Sequence, residues 1–313
     1  MIDEVKIYNT VTKEKISIGF YTKPYVLKSI DWDTPSVSMD TYRVPHQIGE
    51  TLSTITVGTR KPSIIGYVVD KNTDSSKFST WQEYYDKQKE TIEQNKLELD
   101  RIVSIYQDII IEANGYYLKA RPTHPPKYST KEDKNNEVLC LFEIECECYN
   151  PLFYSQEKII TLATVTNKFH FPLVFPPEKI IFGEIQRKQA LPVVNEGDAY
   201  AGCVIKIEAQ GGNVVDPKIY NVNTSEFIAF EGVTLSPGDY IIINTETGEE
   251  NAYKHSAAKG ENTSIVGNIK EGSKLLQIEK GETYYAYEVA SQYQNNIKVS
   301  IKFTEKYFNI RGM

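Results

Sequence analysis

The sequence predicts a mainly β protein with one α-helical segment, an α+β chain organised as two domains, residues 1–150 and 151–313. Three observations carry this reading. Through the last third, short apolar runs alternate with Gly-Asp, Thr-Gly and Lys-Gly turns and no helical period is sustained. In the first half a single Asn-Gly pair sits between two strand-like runs, and one window, residues 79–107, changes to a helical period. At 313 residues the chain is long for one core and comfortable for two.

Ser36-Val37-Ser38 and Leu52 to Val57 read as extended. The turn Gly58 to Pro62 then returns the chain into Ser63–Val69, so a hairpin between the second and third runs is the economical expectation. Ser79 and Thr80 stand before Trp81 with Gln82 and Glu83 three residues on, a capping-box pattern. Apolar positions follow at Trp81, Tyr84, Tyr85, Ile92, Leu99, Ile102, Val103 and Tyr106. This is one long helix or two consecutive ones, with a break or partial exposure expected near Lys89 to Asn95, where Gln88 and Asn95 interrupt the apolar face.

Ile109 to Ala113, Asn114-Gly115 and Tyr116 to Ala120 form the strongest local signal, because Asn-Gly tolerates the positive φ values of a type I′ hairpin turn. Prolines 122, 125 and 126 and the polar run Ser129 to Asn136 mark a loop. From Val138 to Cys148 the even positions hold Cys140, Phe142, Ile144, Cys146 and Cys148 while Glu143, Glu145 and Glu147 hold odd ones, the alternation of a strand with one buried face. Buried free thiols are the expectation; a zinc site would need a fourth ligand and would break the alternation. Asn150-Pro151 marks the domain boundary. Phe169 to Pro177 is apolar but proline-rich, an edge strand or extended crossing that opens the second domain. From Val193 onward the turns Asn195-Glu196-Gly197-Asp198 and Ser236-Pro237-Gly238-Asp239 punctuate strands at Val204 to Ile207, Phe227 to Phe230, Tyr240 to Ile243 and Val299 to Phe303, an antiparallel sandwich.

Composition narrows the function. Thirty-five basic against 42 acidic side chains give a net charge of −7, without a Lys/Arg cluster able to track a phosphate backbone, so no specific nucleic-acid binding is expected. No run approaches the roughly 18 apolar residues of a membrane helix, and the first twenty residues lack a signal-peptide core, which points to folding in a cytoplasm without membrane insertion. Twenty-two tyrosines suit pleated surfaces and interfaces. His46, His124, His170 and His255 are isolated, and no nucleophile motif or phosphate-cradling glycine loop is present. The pair Glu196 and Asp198 is explained by its Gly turn rather than by glycoside hydrolysis. No enzyme, no cofactor and no metal are expected.

The order of these features resembles that of phage distal tail proteins. Gly58-Thr59-Arg60 followed by Ile64 to Val68 is similar to the family's Gly-x-Arg strand start, Leu97 to Ile102 to the helix before its Asn-Gly hairpin, and Asn150-Pro151-Leu152-Phe153-Tyr154 to its aromatic inter-domain junction. Phe171-Pro172-Leu173, Asn195 to Asp198 and the strands that follow resemble its galectin-like C-terminal domain. The chain departs from shorter members in its longer helical stretch and in the polar insert near 129–136. The resemblance implies a tail-tube-like N-terminal β-sandwich plus helix that forms a homo-hexameric ring between the tail-tube protein and the tail hub. It also implies a C-terminal domain displayed outward, where receptor-binding or other baseplate proteins attach at the virion tail tip. Contractile tails and phage-tail-like bacteriocins use related ring builders.

Within that frame Glu143, Glu145 and Glu147 are either an acidic channel lining that keeps DNA from adhering, or a solvated face balanced by Lys or Arg across the strand. Trp32 and Trp81 are read as core or interface packing. The alternative function is a carbohydrate-binding baseplate module that contacts the host cell wall directly. A ring builder self-associates and neighbours tape-measure and hub genes; a glycan module binds as a monomer.

Overall fold

A computed structural model describes residues 2–70, 75–129, 139–167, 183–187, 190–294 and 296–310. The chain forms two compact units: Met1–Tyr154 together with Phe308–Met313, and Ser155–Tyr307. The sequence places the division after Asn150. In the structure it falls between Tyr154 and Ser155, and the segment from Phe308 returns to the first unit. The expected loop over 129–136 and the proline-rich run 169–177 lie outside the described residues, apart from Ser129.

The first unit contains β1 (Glu4–Asn9), β2 (Lys15–Gly19), β3 (Tyr25–Asp31), β4 (Val37–Tyr42), β5 (Thr51–Val57), β6 (Ser63–Val69), α1 (Trp81–Ile102), β7 (Ile109–Ala113), β8 (Tyr116–Pro122), β9 (Lys127–Ser129) and β10 (Leu139–Glu147). Seven of the strands run in the order β8-β7-β1-β2-β3-β6-β10, and β10 returns to β8 through Cys146 opposite Pro122 and Glu147 opposite Arg121. The sheet thus closes on itself and loses its edges there. Neighbours are antiparallel except β2 and β3, which meet in parallel at Gly19 and Val26. Alternation sends Val5, Ile7, Ile18, Ile64, Ile111 and Phe142 inward to full burial. Gly66 is required where Phe142 crosses it: a Cβ there would lie 2.6 Å from the Phe142 ring and from the carbonyl oxygen of Val26.

The Asn-Gly hairpin forms as expected, with Asn114 and Gly115 at φ 50° and 78° between β7 and β8. The hairpin expected between Leu52–Val57 and Ser63–Val69 does not form. β5 pairs instead with β4, while β6 lies between β3 and β10. The alternation in β6 fits a strand with a buried face, and the turn from Gly58 to Pro62 serves to bring it into the closed sheet rather than back onto β5.

The helix is continuous from Trp81 to Ile102, without the break considered near Lys89 to Asn95. Thr80 caps it, its hydroxyl accepting from the Glu83 N–H at 3.2 Å, while the Glu83 carboxylate accepts from the Ser79 N–H at 3.1 Å. Only its C-terminal half is buried, through Ile92, Leu99 and Ile102.

The second unit holds the greater part of β11 (Phe153–Asn167), then β12 (Gly183–Arg187), β13 (Leu191–Asn195), β14 (Cys203–Ala209), β15 (Val214–Val215), β16 (Lys218–Asn221), β17 (Phe227–Ala229), β18 (Thr234–Leu235), β19 (Tyr240–Asn244), β20 (Asn251–Ser256), β21 (Glu261–Ser264), β22 (Gly281–Glu288) and β23 (Ile297–Tyr307). One sheet runs β21-β20-β19-β14-β23-β11 and the other β13-β22-β16-β17. Their inner faces share a core that includes Ile205, Ile241 and Val299 from the first sheet and Val193, Ile219 and Tyr285 from the second, a β-sandwich. The Gly-Asp turns have local causes. The Asn195 side chain accepts from the Gly197 N–H at 2.9 Å, and Asp239 accepts from the N–H groups of Ser236 and Ala257 at 3.1 and 2.9 Å. The protein is mainly β with a single α-helix among the described residues, the class read from the sequence.

Candidate assembly surface

β4 and β5 form a ribbon in which every residue is exposed. Val37 stands opposite Val57 and Met39 opposite Ile55; a register shift after Asp40 then sets Leu52 opposite Thr41. Period-two alternation therefore gathers Val37, Met39, Leu52, Ile55 and Val57 on one face, and Ser38, Asp40, Thr54 and Thr56 on the other. Without the shift, Ser53 would face Thr41 and Leu52 would turn to the polar side. The five apolar side chains stay between 36% and 62% exposed, and Ile48 at the tip is fully exposed. A bare ribbon with one apolar face resembles half of a sandwich that lacks its other layer. Its tip is internally fastened: Gln47 accepts from the Val44 N–H at 3.1 Å, and its own carbonyl accepts from Arg43 Nε at 3.2 Å.

At the base of the ribbon sits Arg60, 1% exposed. Its guanidinium donates to the carbonyl oxygens of Pro151 (2.7 Å), Trp32 (3.1 Å), Asp33 (2.8 Å) and Phe308 (2.5 Å), and lies 4.5 Å over the Phe153 ring. The Arg of the Gly58-Thr59-Arg60 motif therefore joins three separate chain segments of the first unit. That role needs a planar fork of donors, which lysine lacks. Burial pushes its pKa down.

The three glutamates of β10 point outward while Cys140, Cys146 and Cys148 are buried. Glu145 pairs with Lys127 and, at 3.2 Å, with His124; the Lys127 hydrogen bond holds its carboxyl below the usual range. Glu147 accepts from the Thr59 hydroxyl at 2.9 Å, and Glu143 stands opposite Lys127 in register. Among the described residues neither Glu143 nor Glu147 has an ion-pair partner within 4.0 Å. Burial pushes the Cys148 thiol up to about 12 and raises that of Cys146 further, so neither carries a thiolate near neutral pH. Cys203, in the second unit, is likewise pushed up to about 12. Among the described residues no three His, Cys, Asp or Glu side chains are placed to hold a metal ion.

Trp32 is buried against Phe153, ring centroids 5.3 Å apart, whereas Trp81 is 71% exposed. Of the expected core or interface packing, Trp32 takes the core, while Trp81 lies on the half of α1 that stands clear of the core, which leaves an interface as its reading. In the second unit the Tyr240 ring is already engaged: His255 stacks on it at 4.6 Å and the Lys206 ammonium lies 4.4 Å from its centroid. The sequence reading pairs Leu52–Val57 with Ser63–Val69 and gives Ser36–Ser38 no partner, so this surface does not emerge from it. The signal was present in the alternation Val37, Met39 and Ile55, Val57 flanking a tip with Pro45 and Gly49.

The chain has the fold of a phage Dit protein. Among solved structures it is similar to the Dit protein (gp 19.1) of phage SPP1, described as a paradigm of the hub adsorption apparatus of phages that infect Gram-positive bacteria. The two share 12% identity over 96% of this chain and 98% of that one, with a TM-score of 0.60. Chains of the phage p2 baseplate in its activated conformation, with Sr or with Ca, align over 99% of this chain and all of theirs at 10% identity, with TM-scores of 0.49 and 0.47. The sequence matches no protein-family model and no curated protein.

Proposed function

We propose that this protein is a structural component of a phage tail tip, a distal tail protein. Its first units assemble into a six-membered ring that joins the tail tube to the hub, and its second units serve as the platform for host-recognition or other baseplate proteins. The observation that carries the reading is the bare apolar face of the β4–β5 ribbon on a chain whose fold is that of tail-tip hub proteins. An amphipathic ribbon exposed on both sides is stabilised when another chain covers its apolar face. Ile55→Asp places a charge in the centre of that face without touching the closed sheet. We expect the variant to keep the parent's circular dichroism and thermal transition while losing self-association in sedimentation velocity; assembly identical to the parent's would contradict the reading.

Glu143, Glu145 and Glu147 form the ring's acidic channel lining in this proposal, with like charge preventing the genome from adhering. Glu145, already balanced by Lys127, contributes least. Lysine at all three positions is expected to leave ring assembly intact and to slow genome ejection; unchanged ejection would return them to a merely solvated face.

A further inference from the structure

The sequence has a single Asn-Gly step, and the fold sets it at an open turn of the first unit's closed sheet. Asn114 and Gly115 join β7 to β8 at φ 50° and 78°, and both are exposed. Gly115 has no side chain to shield its nitrogen, and no atom lies within 4 Å of the point that a Cβ there would occupy. Among the described residues the Gly115 N–H donates to no carbonyl, and the Asn114 side chain has no hydrogen-bond partner.

Other asparagines differ on one or both counts. The Asn195 and Asn244 side chains accept from the N–H two residues on, each at 2.9 Å, and Asn262 bonds His255 at 2.7 Å. Asn213 and Asn309 are exposed and untied among the described residues, but β-branched Val214 and Ile310 follow them and crowd the next main-chain nitrogen.

We propose that Asn114 is a site of spontaneous deamidation and isomerisation in the folded chain, a modification independent of any assembly. Hydroxide removes the Gly115 amide proton, and the freed nitrogen attacks the Asn114 side-chain carbonyl carbon. A C–N bond forms and closes a five-membered succinimide; the side-chain nitrogen takes a proton from water and leaves as ammonia, which regenerates the hydroxide. Water then opens the imide. Cleavage of the new bond gives aspartate at 114, whereas cleavage of the original peptide bond gives isoaspartate, with the main chain running through Cβ. The net change exchanges one water for one ammonia, and no oxidant or cofactor takes part.

The fold gives the second product a structural consequence. Ala113 stands opposite Tyr116, so only two residues carry the chain from β7 to β8, and the turn type needs ordinary backbone at positive φ in both. Isoaspartate adds a main-chain carbon to that turn. β7 is also paired to β1 on its other side, so the misfit is passed into the closed sheet rather than absorbed by a loose loop.

The test ages the full-length protein in mildly alkaline buffer, followed by peptide mass mapping that separates aspartate from isoaspartate. The control is Asn114→Gly, which removes the reacting amide and still adopts the positive φ of the turn. Conversion at position 114 is expected at least tenfold faster than at any other asparagine, to yield both products and to quicken as pH rises. The thermal transition of the aged parent is expected to fall with its isoaspartate content, while aged Asn114→Gly keeps its own. Conversion in the urea-unfolded chain but not in the folded one would show that the turn protects Asn114 and would overturn the proposal. Aspartate without isoaspartate would exclude the succinimide route. Isoaspartate with an unchanged thermal transition would overturn the claimed effect on the sheet.

Discussion

Arg60 is the residue on which the first unit's chain closure depends. Its side chain answers four carbonyl oxygens from three segments, 32–33, 151 and 308, and stacks on Phe153. Removing the donors leaves those oxygens in a site with little water, and hydrogen bonds to a charged group are worth about 1.5–3 kcal/mol each before relaxation. Arg60→Met is therefore expected to destabilise the protein by about 3–5 kcal/mol in chemical denaturation. Arg60→Lys should recover only a fraction, because an ammonium cannot span the four acceptors. A loss below about 1 kcal/mol for Arg60→Met would show that the bonds are replaced by water. The sequence marked Arg60 only through its resemblance to a family motif. Nothing in its neighbours shows that it is buried, since its acceptors are main-chain atoms up to 248 positions away.

At the scale of elements, the second unit ties strand β23 to strand β11 and to the 195–198 turn through one carboxylate. Glu305, 3% exposed, accepts from Lys158 Nζ at 2.6 Å, from the Glu196 N–H at 2.7 Å and from the Tyr307 hydroxyl at 2.8 Å. Burial works to raise its pKa, but these donors outweigh it and hold the carboxyl below its ordinary value. A depressed folded-state pKa gives stability that is fully present above the unfolded value, about 4.3 for Glu, and is lost as pH falls through the folded one. The second unit should thus lose stability below about pH 4 more steeply in the parent than in Glu305→Gln. Parallel acid limbs in the two proteins would show that Glu305 does not contribute.

Elements with a local cause were legible in the sequence: the Asn114-Gly115 hairpin, the Thr80 cap, the alternation of β10 and the Gly-Asp turns each state their geometry within a few residues. The partner of β5 was not legible, because pairing is decided by which strands the closed sheet leaves free. Likewise, the helical period of residues 81–85 matches that of a buried face, and only the tertiary fold reveals that no core lies beneath Trp81.

For the whole molecule, a mainly β chain with the fold of the SPP1 Dit protein leaves the apolar face of the β4–β5 ribbon bare on its first unit. In the proposed ring that face is covered by a neighbouring copy. The candidate assembly surface was the least legible part of the sequence. It depends on strand pairing and on the register shift at Leu52, neither of which composition or spacing records.

Head-to-tail contact generates a closed ring only at one rotation per copy and an open filament at others, so closure is the property that distinguishes the account from simple self-association. Electron microscopy of the purified protein, or of tails if rings form only during assembly, measures it directly. The account predicts closed six-membered rings at the junction of tail tube and hub. Open filaments, a ring of another number, or single copies in both free and tail-assembled protein would contradict it.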